Sequence, residues 1–171
     1  MVSPQTKDKL RKMREGDALI RKVRGEVLEW LLAIDELLNA IIAEYFVENE
    51  YRKQLFRYEV LTRDFFATRQ KIGILADIEI PEGVSIRKHD RTLIRRLERL
   101  NSFRNLLVHG FPIALPEGAR VWIHRRGQLK PIQINERIFE EMETLYESAF
   151  QSLSELYQRL ISRTDRGRKR T

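Results

Sequence analysis

The chain contains no cysteine. Disulfides, thiolate zinc sites and cysteine nucleophiles are therefore excluded, and the composition fits a reducing, cytoplasmic setting. Histidine is scarce, with three residues, and the acidic residues form no metal-binding grouping, so neither a metal nor another cofactor is expected. Long apolar runs are missing as well. The richest stretch, Trp30 to Val47, is interrupted by Asp35, Glu36, Asn39 and Glu44, which does not read as a bilayer span. Met1 to Arg14 is polar and basic without an apolar h-region. No secretion and no membrane partner is expected. Internal repeats and long low-complexity segments are also absent.

What is present is charge, and it is uneven. The 171 residues, enough for one domain with a hydrophobic core, carry a net charge of +7. Lys7, Lys9, Arg11, Lys12 and Arg14 crowd the start. Arg87, Lys88, Arg91, Arg95, Arg96 and Arg99 form a middle cluster, and Arg163, Arg166, Arg168, Lys169 and Arg170 form the last. Such clusters attract phosphate backbones through a long-range, salt-sensitive term; a solvated basic surface is the plainer alternative. The expected organisation is a basic extension over 1–18, a helical domain over 19–162 and a basic tail over 163–171.

Apolar periodicity sets the expected fold. Val23, Val27, Leu31, Ile34, Leu38, Ile41 and Tyr45 recur at spacings of three and four, which predicts an amphipathic helix over about 19–47. Leu28, Leu32, Leu37 and Ile42 are expected to widen its buried face. A second helix is expected over about 52–70, with Leu55, Phe56, Leu61, Phe65 and Phe66 as its apolar set. It is expected to continue over 72–78 after a bend near Gly73, before a break at Ile80-Pro81-Glu82-Gly83. The third helix is bounded by Asp90 as cap and by Gly110 and Pro112 at its end. Leu93, Leu97, Leu100 and Leu107 mark its buried stripe. Alternation around Val121 and Ile123, a turn at Arg126-Gly127-Gln128 and a second run near Ile132 predict a small hairpin over about 120–134. Pro131 suits an edge strand there. A last helix follows Asn135, with Ile138, Met142, Leu145, Ala149, Leu153, Leu156 and Leu160 inward. The expected class is all-α: an antiparallel four-helix up-down bundle with a small β-hairpin inserted before the last helix.

The segment Phe103-Arg104-Asn105-Leu106-Leu107-Val108-His109-Gly110 carries the functional signal. Arg104 lies four residues after Leu100 and three before Leu107, so the helix pattern puts it inside the apolar stripe. A charge in such a place must be paired, satisfied by a partner subunit, or used in chemistry. Asn105 and His109 are four apart and share a neighbouring face. Arg104 and His109 differ by roughly 140° around the helix. One straight helix does not easily aim both at one small group, whereas two copies across a two-fold axis could aim both pairs into one cleft.

Histidine, arginine and asparagine suit RNA cleavage. The substrate supplies its own nucleophile, the 2′-hydroxyl, and histidine can take that proton or protonate the leaving oxygen. Arginine can hold the phosphate bidentately and stabilise developing charge. Asn105 can orient His109 or the substrate.

The order Arg104-Asn105-x-x-x-His109, at the end of the third helix of a small bundle, resembles the HEPN family. The resemblance covers roughly 19–160. It implies homodimers with a composite cleft and, in many members, a metal-independent endoribonuclease that leaves 2′,3′-cyclic phosphate ends. It also implies a toxin–antitoxin, abortive-infection or phage-defence setting, with an antitoxin or another protein as partner. Where one subgroup has a modifiable tyrosine two residues after the histidine, this chain has Phe111, which argues against that mode of control.

The expected catalytic residues are thus Arg104, Asn105 and His109. The expected RNA contacts are Arg95, Arg96, Arg99, Arg125, Arg126 and Lys130. Each has a plainer counterpart. Arg104 could pair with Glu36 or Glu44, and His109 could cap the helix end. Trp122, with His124, Arg125, Arg126 and Lys130, could be a packing tryptophan beside a wet basic turn rather than a surface that stacks on RNA. Two other functions remain alongside the nuclease: a non-catalytic HEPN-like regulator or adaptor binding nucleotide, RNA or protein, and a DNA-binding regulator.

Overall fold

The first helix begins well before its apolar stripe. In the computed structural model, which describes residues 3–62, 67–80, 83–125 and 128–168, with side chains except at 125 and 163–168, α1 spans Pro4–Phe46. It does not wait for Leu19. The Ser3 hydroxyl accepts from the Thr6 N–H at 3.2 Å, capping the end, and Pro4 occupies the first turn, where its missing N–H costs nothing. Asp8 then bonds Arg11 at 2.9 Å and Lys12 at 3.1 Å, and Arg21 bonds Asp17 at 2.7 Å. These i,i+3 and i,i+4 pairs suit helical spacing. The hydrogen bonds from Arg11 and Lys12 also hold the Asp8 carboxyl below its usual range. The basic start is thus helical from Pro4 onward.

Five further α-helices and three strands follow among the described residues. α2 (Glu50–Leu55) runs into a π-helical turn over Phe56–Val60, and α3 spans Thr68–Asp77. α4 (Ile86–His89) precedes α5 (Arg91–His109). Strands β1 (Phe111–Leu115), β2 (Gly118–Arg125) and β3 (Gln128–Ile134) come next, then α6 (Glu136–Arg168). The expectation of an all-α, four-helix up-down bundle with one hairpin is therefore overturned. The protein is mostly helical with a three-stranded antiparallel sheet of order β1-β2-β3. Two things account for the difference. The second predicted helix is replaced by α2, the π-helical turn and α3, with α3 running through Gly73. The residues after Gly110, expected to be only a helix stop, form β1.

Phe65, Phe66, the Pro81-Glu82 break, the turn residues Arg126 and Gly127, and Lys169 and Arg170 lie outside the described residues. Among the described residues, no helix is long and apolar enough to cross a membrane.

The chain forms two compact units, to each of which α1, α5 and α6 contribute a part. The first comprises Met1–Leu31 and Ser102–Thr144. Its core holds Ile20, Val23, Val27, Phe103, Leu107, Val121, Ile134 and Met142. A Cβ on Gly16 would meet Ala114 Cβ at 3.3 Å and Ala119 Cβ at 3.7 Å, so α1 packs closely on one face of the sheet there. Trp30 stacks on Phe139 with centroids 5.2 Å apart. Asn135 caps α6 as expected, its Oδ1 accepting from the Ile138 N–H at 2.9 Å. The β2–β3 hairpin pairs Val121 with Ile132 and Trp122 with Pro131. Pro131 does lie on an edge strand, where the ladder loses nothing to its missing N–H.

The second unit comprises Leu32–Asn101 and Leu145–Thr171. Ile34, Leu38, Ile41, Leu75, Leu97, Leu100 and Leu153 lie in its core. Asp90 caps α5 as expected, accepting from the Leu93 N–H at 2.9 Å. Two lysines are buried there, each held by a carboxylate: Lys53 by Glu44 at 2.6 Å and Lys71 by Asp35 at 2.5 Å. Along α1 the predicted stripe is buried from Val23 to Ile41, but Leu28 and Leu32 are exposed. They sit one residue beyond Val27 and Leu31, hence about 100° further round, outside the buried arc.

Candidate functional site

The end of α5 is built around Phe103 and Leu107, both buried. The expected stripe omitted Phe103, and that omission misplaced Arg104. With Leu100, Phe103 and Leu107 filling the inward arc, Arg104 falls on its shoulder and is half-buried. The expectation that Arg104 points into the apolar seam is therefore corrected: the phenylalanine takes that place. The long arginine side chain turns outward instead, and its Nη1 donates to Asn105 Oδ1 at 3.1 Å. The glutamates considered as its partners are held by other cations. Glu36 accepts from Arg57 at 2.7 Å and Glu44 from Lys53 at 2.6 Å.

Asn105 and His109 are both exposed, and their i,i+4 spacing puts them on one face. Because Arg104 reaches Asn105, the three motif residues form a strip along the last turns of α5, half-buried at Arg104 and exposed at Asn105 and His109. The 140° separation of Arg104 and His109 on a bare helical wheel is shortened by the flexible arginine stem. His109 is the last residue of α5.

One residue that supports this strip was missed in the sequence. Arg24 donates from Nε and Nη2 to the Leu107 carbonyl at 2.9 and 2.6 Å, and from Nη2 to the Gly110 carbonyl at 3.4 Å. These are carbonyls at a helix end that lack an intrahelical partner. The fork grips the chain on both sides of His109 and fixes where α5 stops. The signal was available: Arg24 lies four residues after Ile20 and three before Val27, both buried. That is the placement that drew attention to Arg104, and here it marks an arginine with a structural task. Arg24→Ala is expected to lower stability by about 1.5–3 kcal/mol, the usual worth of a charged hydrogen bond. Urea denaturation of the variant checks this; an unchanged midpoint would mean the fork contributes nothing.

Gly110 ends α5 for a reason other than the one its position suggests. Among the described residues only Gly83 and Gly118 have positive φ, so Gly110 is no left-handed cap. A Cβ there would overlap Val121 Cγ1 and lie 2.5 Å from the Leu106 carbonyl oxygen. Glycine is needed because the sheet passes so close to the helix end.

The expected RNA contacts fall in both units. Arg95 and Arg99 are exposed and Arg96 half-buried on the part of α5 in the second unit. Lys130 is exposed on β3, opposite Ile123. Only the backbone of Arg125 is described, and Arg126 lies outside the described residues. Between Ser102 and Asn135 the sequence has five arginine or lysine residues and one acid, Glu117. Among the described residues no cluster of three or more histidine, aspartate or glutamate side chains could hold a metal ion. The chain matches no family model, no curated protein and no solved structure.

Proposed function

We propose that this chain is a metal-independent endoribonuclease of HEPN type, acting as a homodimer on single-stranded RNA. The observation that carries the reading is the strip in which half-buried Arg104 is joined to exposed Asn105 on the face shared with exposed His109. It offers a phosphate ligand and a proton-transfer group within one or two helical turns. The strongly basic stretch around it favours a polyanion.

In this reading Arg104 binds the scissile phosphate and Asn105 orients the guanidinium. His109 takes the proton from the 2′-hydroxyl as the 2′-oxygen bonds to phosphorus. The bond from phosphorus to the 5′-oxygen breaks, and that oxygen must receive a proton. The strip has one histidine, so His109 of a second copy, already protonated, is the natural donor. This division of roles, together with the openness of the strip, is what supports a dimer. A second copy would also exclude water and strengthen the arginine–phosphate interaction. The products are a 2′,3′-cyclic phosphate and a 5′-hydroxyl.

Purified protein is expected to cut single-stranded RNA in excess EDTA. Binding without cleavage across varied RNAs would instead identify a non-catalytic RNA-binding module.

A further inference from the structure

The sheet has one face against the protein and one against solvent. Ala119, Val121 and Ile134 are buried on the inner face. The outer face carries Phe111 and Ile113 from β1, Arg120, Trp122 and His124 from β2, and Leu129 from β3. The register sets Phe111 opposite Trp122, Ile113 opposite Arg120 and Leu129 opposite His124. This outer face is unusually apolar for a surface. Phe111 is 72% exposed, Leu129 52% and Ile113 42%. Trp122 is half-buried, and its Nε1 is buried with no acceptor among the described residues. Whatever side-chain surface this tryptophan offers outward is therefore carbon.

Exposed aromatic surface of this kind needs an occupant, and the charge around it says which. The described residues of this face include no acid; its cation is Arg120, and α5 of the same unit contributes Arg104. A self-complementary protein contact would bring two such faces together with no carboxylate to answer Arg120. A polyanion with flat apolar faces matches it. Single-stranded nucleic acid has both features: phosphates for the cations and bases that stack on aromatic rings whatever their identity. A duplex hides its base faces and offers only phosphates.

We infer that the outer sheet face, centred on Phe111 and Trp122, is a base-stacking platform that holds single-stranded RNA beside the α5 strip. Phe111 is two residues beyond His109, so their Cα atoms lie within about 7 Å of each other. A base stacked on Phe111 brings the adjoining phosphodiester to the histidine. The phenylalanine is thus a binding residue next to the proposed catalytic one. This deepens the nuclease reading, yet the binding itself does not depend on cleavage.

The test uses the full chain and a short 2′-O-methyl oligoribonucleotide, which lacks the nucleophilic hydroxyl and cannot be cut by this route. Binding is read by fluorescence anisotropy at fixed salt, with a duplex of the same sequence as control. Phe111→Ala is expected to weaken single-strand binding about tenfold, the effect of losing one stacked base, and to leave duplex binding unchanged. Phe111→Tyr keeps the ring and is expected to bind within twofold of the native protein. Equal single-strand binding by the alanine variant would overturn the platform. So would a change from dimer to monomer on sedimentation of Phe111→Ala, which would assign the face to a second copy. Cleavage of ordinary RNA is scored separately. Platform binding without cleavage rejects the nuclease and keeps the platform; cleavage with indifferent Phe111→Ala binding does the reverse.

Discussion

His109→Ala is expected to slow RNA cleavage by about 10²–10⁴-fold, the usual contribution of a positioned general acid or base. The same substitution is expected to change stability by less than about 0.5 kcal/mol, as exposed positions without a packing role do. Both expectations follow from one placement: His109 is exposed at the end of α5, and no core contact depends on its ring. The helix end is fixed by Arg24 gripping the Leu107 and Gly110 carbonyls, not by the imidazole. Loss of activity with an unchanged melting temperature therefore separates chemistry from folding. In cells the contrast should be growth arrest on expression of the native protein and growth with His109→Ala. Equal rates, or equal toxicity, would remove His109 from the mechanism.

The second large effect concerns the fold. Asp35→Ala is expected to destabilise the protein by about 3 kcal/mol, the lower end for removing one partner of a buried ion pair. Lys71 is 3% exposed, and its Nζ reaches Asp35 Oδ2 at 2.5 Å. Thr68 Oγ1 also donates to this carboxylate, at 3.2 Å. Without Asp35 the ammonium keeps its burial and loses its counter-charge. The lower end applies because the Asp35 side chain is 27% exposed, so water can enter part of the gap. Such a loss is a substantial fraction of the roughly 5–15 kcal/mol that stabilises a typical domain. The double substitution Asp35→Ala with Lys71→Met removes the stranded charge and is expected to recover most of the loss. Denaturant titrations of the two variants decide this. A single-variant loss under about 1 kcal/mol, or a double variant no better than the single, would show that the pair is not coupled in this way.

How far the sequence carried these conclusions depends on the element. The limits of α5 were legible because Asp90 is a capping residue and the chain must leave the helix at Gly110. The α6 start was legible from Asn135 in the same way. The β2–β3 hairpin followed from period-two alternation and from Pro131, which only an edge tolerates. β1 was not legible. Phe111-Pro112-Ile113-Ala114-Leu115 does not alternate, and Gly110 and Pro112 read as breakers. An edge strand accepts that proline, and only pairing with β2 makes the segment a strand. The early start of α1 was hidden because its first turns are held by surface ion pairs rather than by an apolar face.

The candidate residues could be named from the sequence, but their geometry could not. Arg104 is half-buried and bonds Asn105, yet wheel angles placed it in the core. Arginine side chains are long enough to leave a shoulder position for the surface, and Phe103 was there to take the buried place. The same spacing rule pointed at Arg24 and went unused, because no motif drew attention to it. Phe111 stood out first only as a tyrosine that was not there. Its exposure in β1 gives it a different significance, since it presents an aromatic ring two residues from the proposed catalytic histidine.

The most direct measurement is the chemistry of the ends left on single-stranded RNA after incubation with purified protein in excess EDTA. Cleavage through the 2′-hydroxyl must leave a 2′,3′-cyclic phosphate and a 5′-hydroxyl, and mass spectrometry of the fragments is expected to find both. Intact RNA under these conditions, or fragments ending in 3′-hydroxyl and 5′-phosphate, would contradict the role assigned to Arg104, Asn105 and His109.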